Sequence, residues 1–219
     1  MSGYKIAIDG PAGSGKSTIS QLLAKKLHMT HIDTGAMYRA VTLKALQLNI
    51  DLEQEENYKF LEDVNIKYQK NKIYIDNINV TKQIRSDAVT KNVSLVSSIP
   101  YVRKMMVSVQ RKAADGDIVM DGRDIGTVVL PDADLKIFLT ANIEERAKRR
   151  YKENIFKGKS MEETIKDLEI RDEKDSNRLH SPLKKADDAI ILDTTNLTIR
   201  EVVNKIISLS RKKENNHGV

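Results

Sequence analysis

The sequence predicts an α/β domain built on a parallel sheet, with a small antiparallel unit inserted into it. Three observations carry this expectation. The apolar run Lys5 to Asp9 ends in a glycine-rich turn that opens a helix. Strand-like and helix-like segments then alternate, which predicts parallel strands covered on both faces. Between Val64 and Val80 the period falls to two (Val64, Ile66, Tyr68, then Ile73, Ile75, Ile78, Val80), broken by turn-prone residues, as expected of short antiparallel strands.

After the first strand, Ile19, Leu22, Leu23 and Leu27 recur at helical spacing from Lys16 onward. A second strand, Thr30 to Asp33, precedes a helix from Ala36 to Leu48. Beyond the inserted unit a helix is expected over Arg85 to Ser97, then one opened by Pro100 from the favoured first helical position. Asp117 to Asp121 and Leu135 to Thr140 read as buried strands. Asn142 with Glu145 resembles a capping box and starts a basic helix, Ile143 to about Phe156. Gly158 interrupts it, either as a hinge or as an ordinary helix stop. A charged helix from about Met161 to Leu179 stops before Pro182, and a last strand, Ala189 to Asp193, leads to a helix from Thr198 with a frayed tail from Arg211.

Composition narrows the chemistry. The 219 residues contain no cysteine, so no disulfide, thiolate metal site or thiol nucleophile can form. No signal-like N-terminus or spanning apolar run is evident, and a cytoplasmic protein without membrane attachment is expected. The net charge of +6 suits an anionic partner. With 5% aromatic residues and no Trp there is little material for stacking bases of a single strand, so nucleic acid is not expected as partner.

Gly10-Pro11-Ala12-Gly13-Ser14-Gly15-Lys16-Ser17, followed by Thr18, matches the phosphate loop G-x-x-x-x-G-K-[ST], and it lies between a strand and a helix as that motif's mechanics require. Backbone N–H groups curl around a phosphate, the helix N-terminus adds its positive end, Lys16 reaches the outer phosphates and the Ser17 hydroxyl coordinates magnesium. A nucleoside triphosphate with Mg2+ is therefore expected.

Other charged residues sit where ligands collect in such sheets, at the carboxyl ends of strands. Arg39 and Thr34 follow the second strand; the alternative for Arg39 is a solvated helix arginine. Asp121-Gly122-Arg123-Asp124 follows a buried strand, where a lone Asp could also cap a turn. Asp121 could hold magnesium through water. Arg171, Asp175 and Arg178 are spaced four and three apart and share a face if the helix persists, or else form a surface ion pair. Arg146, Arg149 and Arg150 crowd the capped helix, where a solvated basic face is the alternative.

The segments GPAGSGKST, DTGAMYR (Asp33 to Arg39), DGRDIGTVVLPDA (Asp121 to Ala133) and RDEKDSNR (Arg171 to Arg178) resemble, in that order and over almost the whole chain, the bacterial cytidylate kinases among the P-loop nucleoside monophosphate kinases. The resemblance implies a five-stranded parallel core (1–55, 85–145 and 180–213), a small β insert over the monophosphate site (about 56–84) and a helical lid (about 146–170). It implies a monomer that phosphorylates CMP, and dCMP, from ATP. Loop residues Gly10 to Thr18 would hold ATP, with Lys16, Arg123 and Arg150 catalytic. Arg146 would stack on adenine, and Arg150 would contact the transferring phosphate. Arg39 would bind the acceptor phosphate with Thr34 nearby; Thr34 stands where the family has serine, which keeps the hydroxyl. Arg123 would meet the reacting phosphates and Asp124 the exocyclic amine of cytosine. Arg171 and Arg178 would contact the monophosphate, Asp175 the sugar hydroxyls, and Ser94 with Arg103 the cytosine edge.

One rival is weakened by what is missing and another by what is present. A regulatory GTPase should carry N-K-x-D, and neither Asn-Lys pair, at Asn71 and Asn204, has the following Asp. A kinase for another metabolite, such as shikimate, would share the loop but has no need of DGRD or the Arg-Asp-Arg helix. A nucleic-acid-stimulated ATPase would rest on the net charge alone.

Overall fold

The structure, a computed structural model, describes residues 3–152, 158 and 160–217. Strands β1 (Lys5–Asp9) and β2 (Thr30–Asp33) are each followed by a helix, α1 (Lys16–Leu27) and α2 (Thr34–Gln47). Asp33 caps α2 by accepting from the Ala36 N–H, so that helix starts two residues before the apolar periodicity does. A 3-10 segment (Glu55–Glu62) leads into β3 (Ile66–Gln69), β4 (Lys72–Ile75) and β5 (Ile78–Asn79). These form an antiparallel sheet in the order β3-β4-β5. Both hairpin turns place two consecutive residues at positive φ, Lys70-Asn71 and Asp76-Asn77, the conformation that matches the twist of tight hairpins.

After a short 3-10 turn at Gln83–Arg85 the chain returns to the core through α3 (Asp87–Val96), α4 (Pro100–Ala113), β6 (Ile118–Gly122) and β7 (Leu135–Thr140). Between β6 and β7 lies a π-helical turn, Ile125–Val129, that no sequence signal announces. Helices α5 (Ile143–Lys152) and α6 (Met161–Asn177) follow, and β8 (Ile190–Asp193) and α7 (Ile199–His217) complete the fold. Ser160 and Glu163 make the capping box that starts α6. The expected end of the basic helix at Phe156 lies outside the described residues; Gly158 has φ +87. Helix α7 continues to His217 where fraying from Arg211 is expected from the polar sequence.

Strands β2-β6-β1-β7-β8 pair in that order, all parallel. Alternate residues feed opposite faces. Ile6, Ile8, Val119, Leu135 and Ile137 pack with Ile19 and Leu23 of α1 and Val202, Val203 and Ile206 of α7. Ala7, Ile118 and Met120 pack with Met37 and Val41 of α2, Val102 and Met106 of α4, and Ile66, Ile73 and Ile75 of the insert. The insert therefore shares the apolar core of one sheet face and is seated on α2.

The register aligns the strand ends that matter. Asp9 stands opposite Gly122, and Asp33 opposite Asp121. The phosphate loop, the DGRD turn and the start of α2 thus open onto one edge. Close approach there demands glycine: a Cβ on Gly10 would lie 2.0 Å from the Leu139 carbonyl oxygen, and one on Gly122 2.5 Å from Thr34 Oγ1.

Candidate active site

A cleft of about 470 Å³ opens at this edge. Its floor is the phosphate loop: Ala12, Gly13, Gly15, Lys16, Ser17 and Thr18 line it, whereas Gly10, Pro11 and Ser14 are buried and are not among the lining residues. Lys16 Nζ donates to the Pro11 carbonyl at 2.7 Å and lies 3.4 Å from Ser14 Oγ. Burial, reinforced by the positive charge of Arg123, holds its pKa well below the usual lysine range. Ser17 Oγ donates to Asp121 Oδ2 at 2.8 Å, and the other Asp121 oxygen accepts from His31 Nε2 at 2.7 Å.

Above the loop the wall is cationic. Arg39, Arg123, Arg150 and Arg171 all line the cleft, although they come from α2, the turn after β6, α5 and α6. Arg39 is aimed by hydrogen bonds from its Nη1 to the Ile84 carbonyl (3.3 Å) and Thr90 Oγ1 (2.9 Å). Burial and then neighbouring arginines depress the affinity of these groups for their protons, Arg39 to about 10 and Arg171 to about 9. Arg123 differs, because Asp175 Oδ2 accepts from its Nε at 2.8 Å; against the effect of burial, that carboxylate raises Arg123 above the usual guanidinium value. Reciprocally, Arg123 and Arg171 overcome the burial of Asp175 and hold its pKa below the ordinary carboxylate range. The Nε of Arg171 is buried with no hydrogen-bond partner among the described residues. A buried guanidinium repelled by its neighbours, as Arg171 is, is costly unless an anion shares the site.

The far end of the cleft is built from pairs. Asp124 is gripped by Arg103 Nη2, and Arg178 Nη2 stands 3.5 Å from its other oxygen. Arg103 also donates to the Ser97 carbonyl at 3.0 Å and lies over the Tyr38 ring, 5.3 Å from its centre. Thr34 Oγ1 donates to the Asp121 carbonyl at 2.8 Å and so fixes the start of the DGRD turn. From beneath, Asp9 accepts 2.8 Å hydrogen bonds from the Ile125 and Gly126 N–H groups, which anchors that turn to β1.

Three expected placements differ. Ser94 is not among the residues lining the cleft; α3 is turned so that Val93 and Ser97, four apart on one face, line it, and the Ser94 carbonyl accepts from Ser97 Oγ at 3.2 Å. Arg146 is buried beneath the loop, donating to the carbonyls of Ala141 and Ala12 (both 3.1 Å) and pairing with Asp172. Its guanidinium is held by these protein partners, and Arg146 is not among the residues lining the cleft. Arg178 stands with Asp124 instead of Arg171, because α6 ends at Asn177 and Arg178 leaves it in an extended conformation, φ −64 and ψ 141.

Four participants escape the sequence reading. Asp172 Oδ1 accepts from the Ala12 N–H at 3.1 Å, and so ties α6 to the loop together with Arg146. Ser97 and Tyr38 line the deep end. Tyr38 is the neighbour of Arg39 within DTGAMYR, and Ser97 follows Val93 at helical spacing. His31 also lines the cleft, and the signal was its period-two relation to Asp33 on β2.

Comparison with known proteins agrees with this architecture. The cytidylate kinase family matches residues 6–212. A cytidylate kinase of Acholeplasma laidlawii is 58% identical over 95% of this chain and 96% of its own length. One from Halalkalibacterium halodurans is 52% identical over 97% and 100%. Among solved structures, a shikimate kinase from Bacteroides thetaiotaomicron shares the fold, with a TM-score of 0.50 at 15% identity, covering 95% of this chain and 98% of that one. A family match that spans nearly every residue, joined to relatives more than half identical from end to end, places this chain in the cytidylate kinase family, and it is a nucleotide phosphotransferase.

Proposed function

We propose that this chain transfers the γ-phosphoryl group of ATP directly to CMP and dCMP. The observation that carries the proposal is the sequence of chemistries along one cleft: a phosphate loop, then Arg39, Arg123, Arg150 and Arg171, then Asp124 held between Arg103 and Arg178.

A monophosphate loses its second proton near pH ~6, so at neutral pH its oxygen is already a nucleophile and no general base is required. The remaining need is to offset charge on donor and acceptor and to align them. Lys16 and the loop N–H groups hold the donor, Arg39, Arg123 and Arg171 hold the acceptor phosphate, and Arg150 stands where charge shifts between them. Asp175 orients Arg123 and lies where a sugar hydroxyl would be received. At the deep end a cytosine would present one amine donor and two acceptors; Asp124 accepts from the amine while Arg103 and Arg178 donate to the ring nitrogen and carbonyl. Uracil would turn an oxygen toward Asp124 and be repelled.

The pair Ser17 and Asp121 fits a hard divalent cation, because both offer oxygen donors beside the loop. Mg2+ held there would supply positive charge to the outer phosphate oxygens of ATP. The cleft is complete within one chain, which supports a monomer. Its cations line a cleft of about 470 Å³, a size that supports small nucleotides and not nucleic acid as partners. Among the described residues no helix is long and apolar enough to cross a membrane. Substrates of this kind support a cytoplasmic location.

Substituting Asp124→Asn tests base recognition. The expected result is a KM for CMP raised about 50-fold or more, consistent with loss of roughly 2 kcal/mol of discrimination, with the KM for ATP within about threefold and UMP gaining relative to CMP. Equal weakening of CMP and ATP would overturn the assignment.

A further inference from the structure

His31 has no part in the phosphate chemistry described above, yet it is the most heavily engaged side chain on β2. Its Nε2 donates to Asp121 Oδ1 at 2.7 Å, and its Nδ1 lies 3.0 Å from Asn71 Oδ1 and 3.3 Å from Tyr68 Oη. The ring meets Tyr68 edge-on, 5.8 Å between centres at 89°. Side-chain exposure is only 6% for His31 and 3% for Asp121. Tyr68 and Asn71 belong to β3 and the β3–β4 turn, so the tip of the insert, a core strand and the phosphate loop are joined in one chain of contacts: Asn71 and Tyr68 to His31, His31 to Asp121, Asp121 to Ser17.

The need for such a contact follows from the register. Asp33 and Asp121 face each other across β2 and β6, two carboxylates at adjacent strand ends. Left alone, Asp121 would turn away from Asp33 and toward any available donor. A donor on Oδ1 removes that freedom and leaves Oδ2 directed at Ser17.

We propose that His31 is a positioning residue which holds Asp121 toward the Ser17 side of the loop, and that the insert, by gripping His31 through Asn71 and Tyr68, helps to set the site for the donor's metal ion. This rests on the reading of Ser17 and Asp121 given above, and it adds a direct mechanical link between the acceptor-side insert and the donor side.

The test measures equilibrium binding of a non-hydrolysable ATP analogue, calorimetrically, with Mg2+ and with EDTA. In His31→Phe, which keeps a ring of similar size, the strengthening by Mg2+ is expected to fall at least about tenfold, while affinity in EDTA stays within about twofold. His31→Gln, which restores an N–H donor, should recover most of it. The double substitution Tyr68→Phe with Asn71→Gly spares Asp121 and tolerates the positive φ of position 71; it should lose about threefold in the Mg2+-dependent part alone. A His31→Phe chain strengthened by Mg2+ as much as the wild type would overturn the proposal, as would equal losses with Mg2+ and EDTA. An unchanged double variant would overturn the role of the insert. A wild-type chain indifferent to Mg2+ would instead overturn the metal reading itself, and this proposal with it.

Discussion

Asp175 Oδ2 accepts a 2.8 Å hydrogen bond from Arg123 Nε, joining helix α6 to the turn after β6 at the wall of the cleft. Both partners are largely removed from water, with side-chain exposures of 6% and 18%. Removing one member of such a pair leaves the other charge uncompensated, a loss of about 3 kcal/mol. Asp175→Ala is therefore expected to lower stability by that order in urea unfolding and to raise the KM for CMP about tenfold or more. Unaltered CMP kinetics would show that Arg123 needs no such support.

Arg171 predicts the opposite sign for stability. Its guanidinium sits among Arg123, Arg39 and Arg150 with a buried, unpartnered Nε, and burial together with those neighbours lowers its pKa to about 9. Arg171→Met removes a repelled charge while keeping an apolar stem, so the ligand-free protein should gain about 1 kcal/mol and melt a few degrees higher. CMP affinity should fall by two orders of magnitude or so. Thermal melts with and without CMP check both halves; a destabilised variant with normal CMP binding would contradict the placement.

Arg146 separates a support role from a base-stacking role. Because it binds the Ala12 and Ala141 carbonyls and Asp172, Arg146→Gln should loosen the loop, cost about 3 kcal/mol and weaken ATP and GTP as donors by similar factors. A selective loss of ATP would show that the side chain swings out to meet adenine.

Asp9 gives the pH dependence. Burial raises its pKa from 3.8 to about 6, even though it accepts from Ile125 and Gly126 N–H. Between pH ~4 and ~6 the folded state then holds more proton at this site than the unfolded chain, so this group's contribution to stability rises as pH falls through that window and is lost again toward neutrality. Asp9→Asn deletes the dependence. Its destabilisation relative to wild type should be about 2 kcal/mol greater at pH ~4.5 than at pH ~7 in paired urea titrations. A penalty independent of pH would contradict the raised pKa.

Local signals carried much of the fold into the sequence. The glycine loop between a strand and a helix, the apolar β1, β6 and β7, and the two polar hairpin turns at Lys70-Asn71 and Asp76-Asn77 are each written in a few adjacent residues. The surroundings of each helix turn were not. Arg146 and Arg150 differ by one turn, and only packing of α5 against the loop decides that the first is buried and the second lines the cleft. The same holds for α3, whose rotation sends Ser97 and not Ser94 to the wall. Where α6 stops decides that Arg178 joins Asp124. Pairings such as His31 with Asp121 or Asp9 with Gly126 link residues 90 and 117 positions apart, and no local pattern encodes them.

The central claim is that one cleft holds two nucleotides end to end, with a deep end that reads cytosine. A coupled assay with ATP and Mg2+ across CMP, dCMP, UMP, AMP and shikimate tests it most directly. CMP and dCMP should exceed AMP and shikimate in kcat/KM by at least about a hundredfold, the discrimination expected when buried polar groups lose their partners, with UMP between. Turnover of AMP or shikimate at the rate of CMP, or no turnover of CMP, would contradict the account.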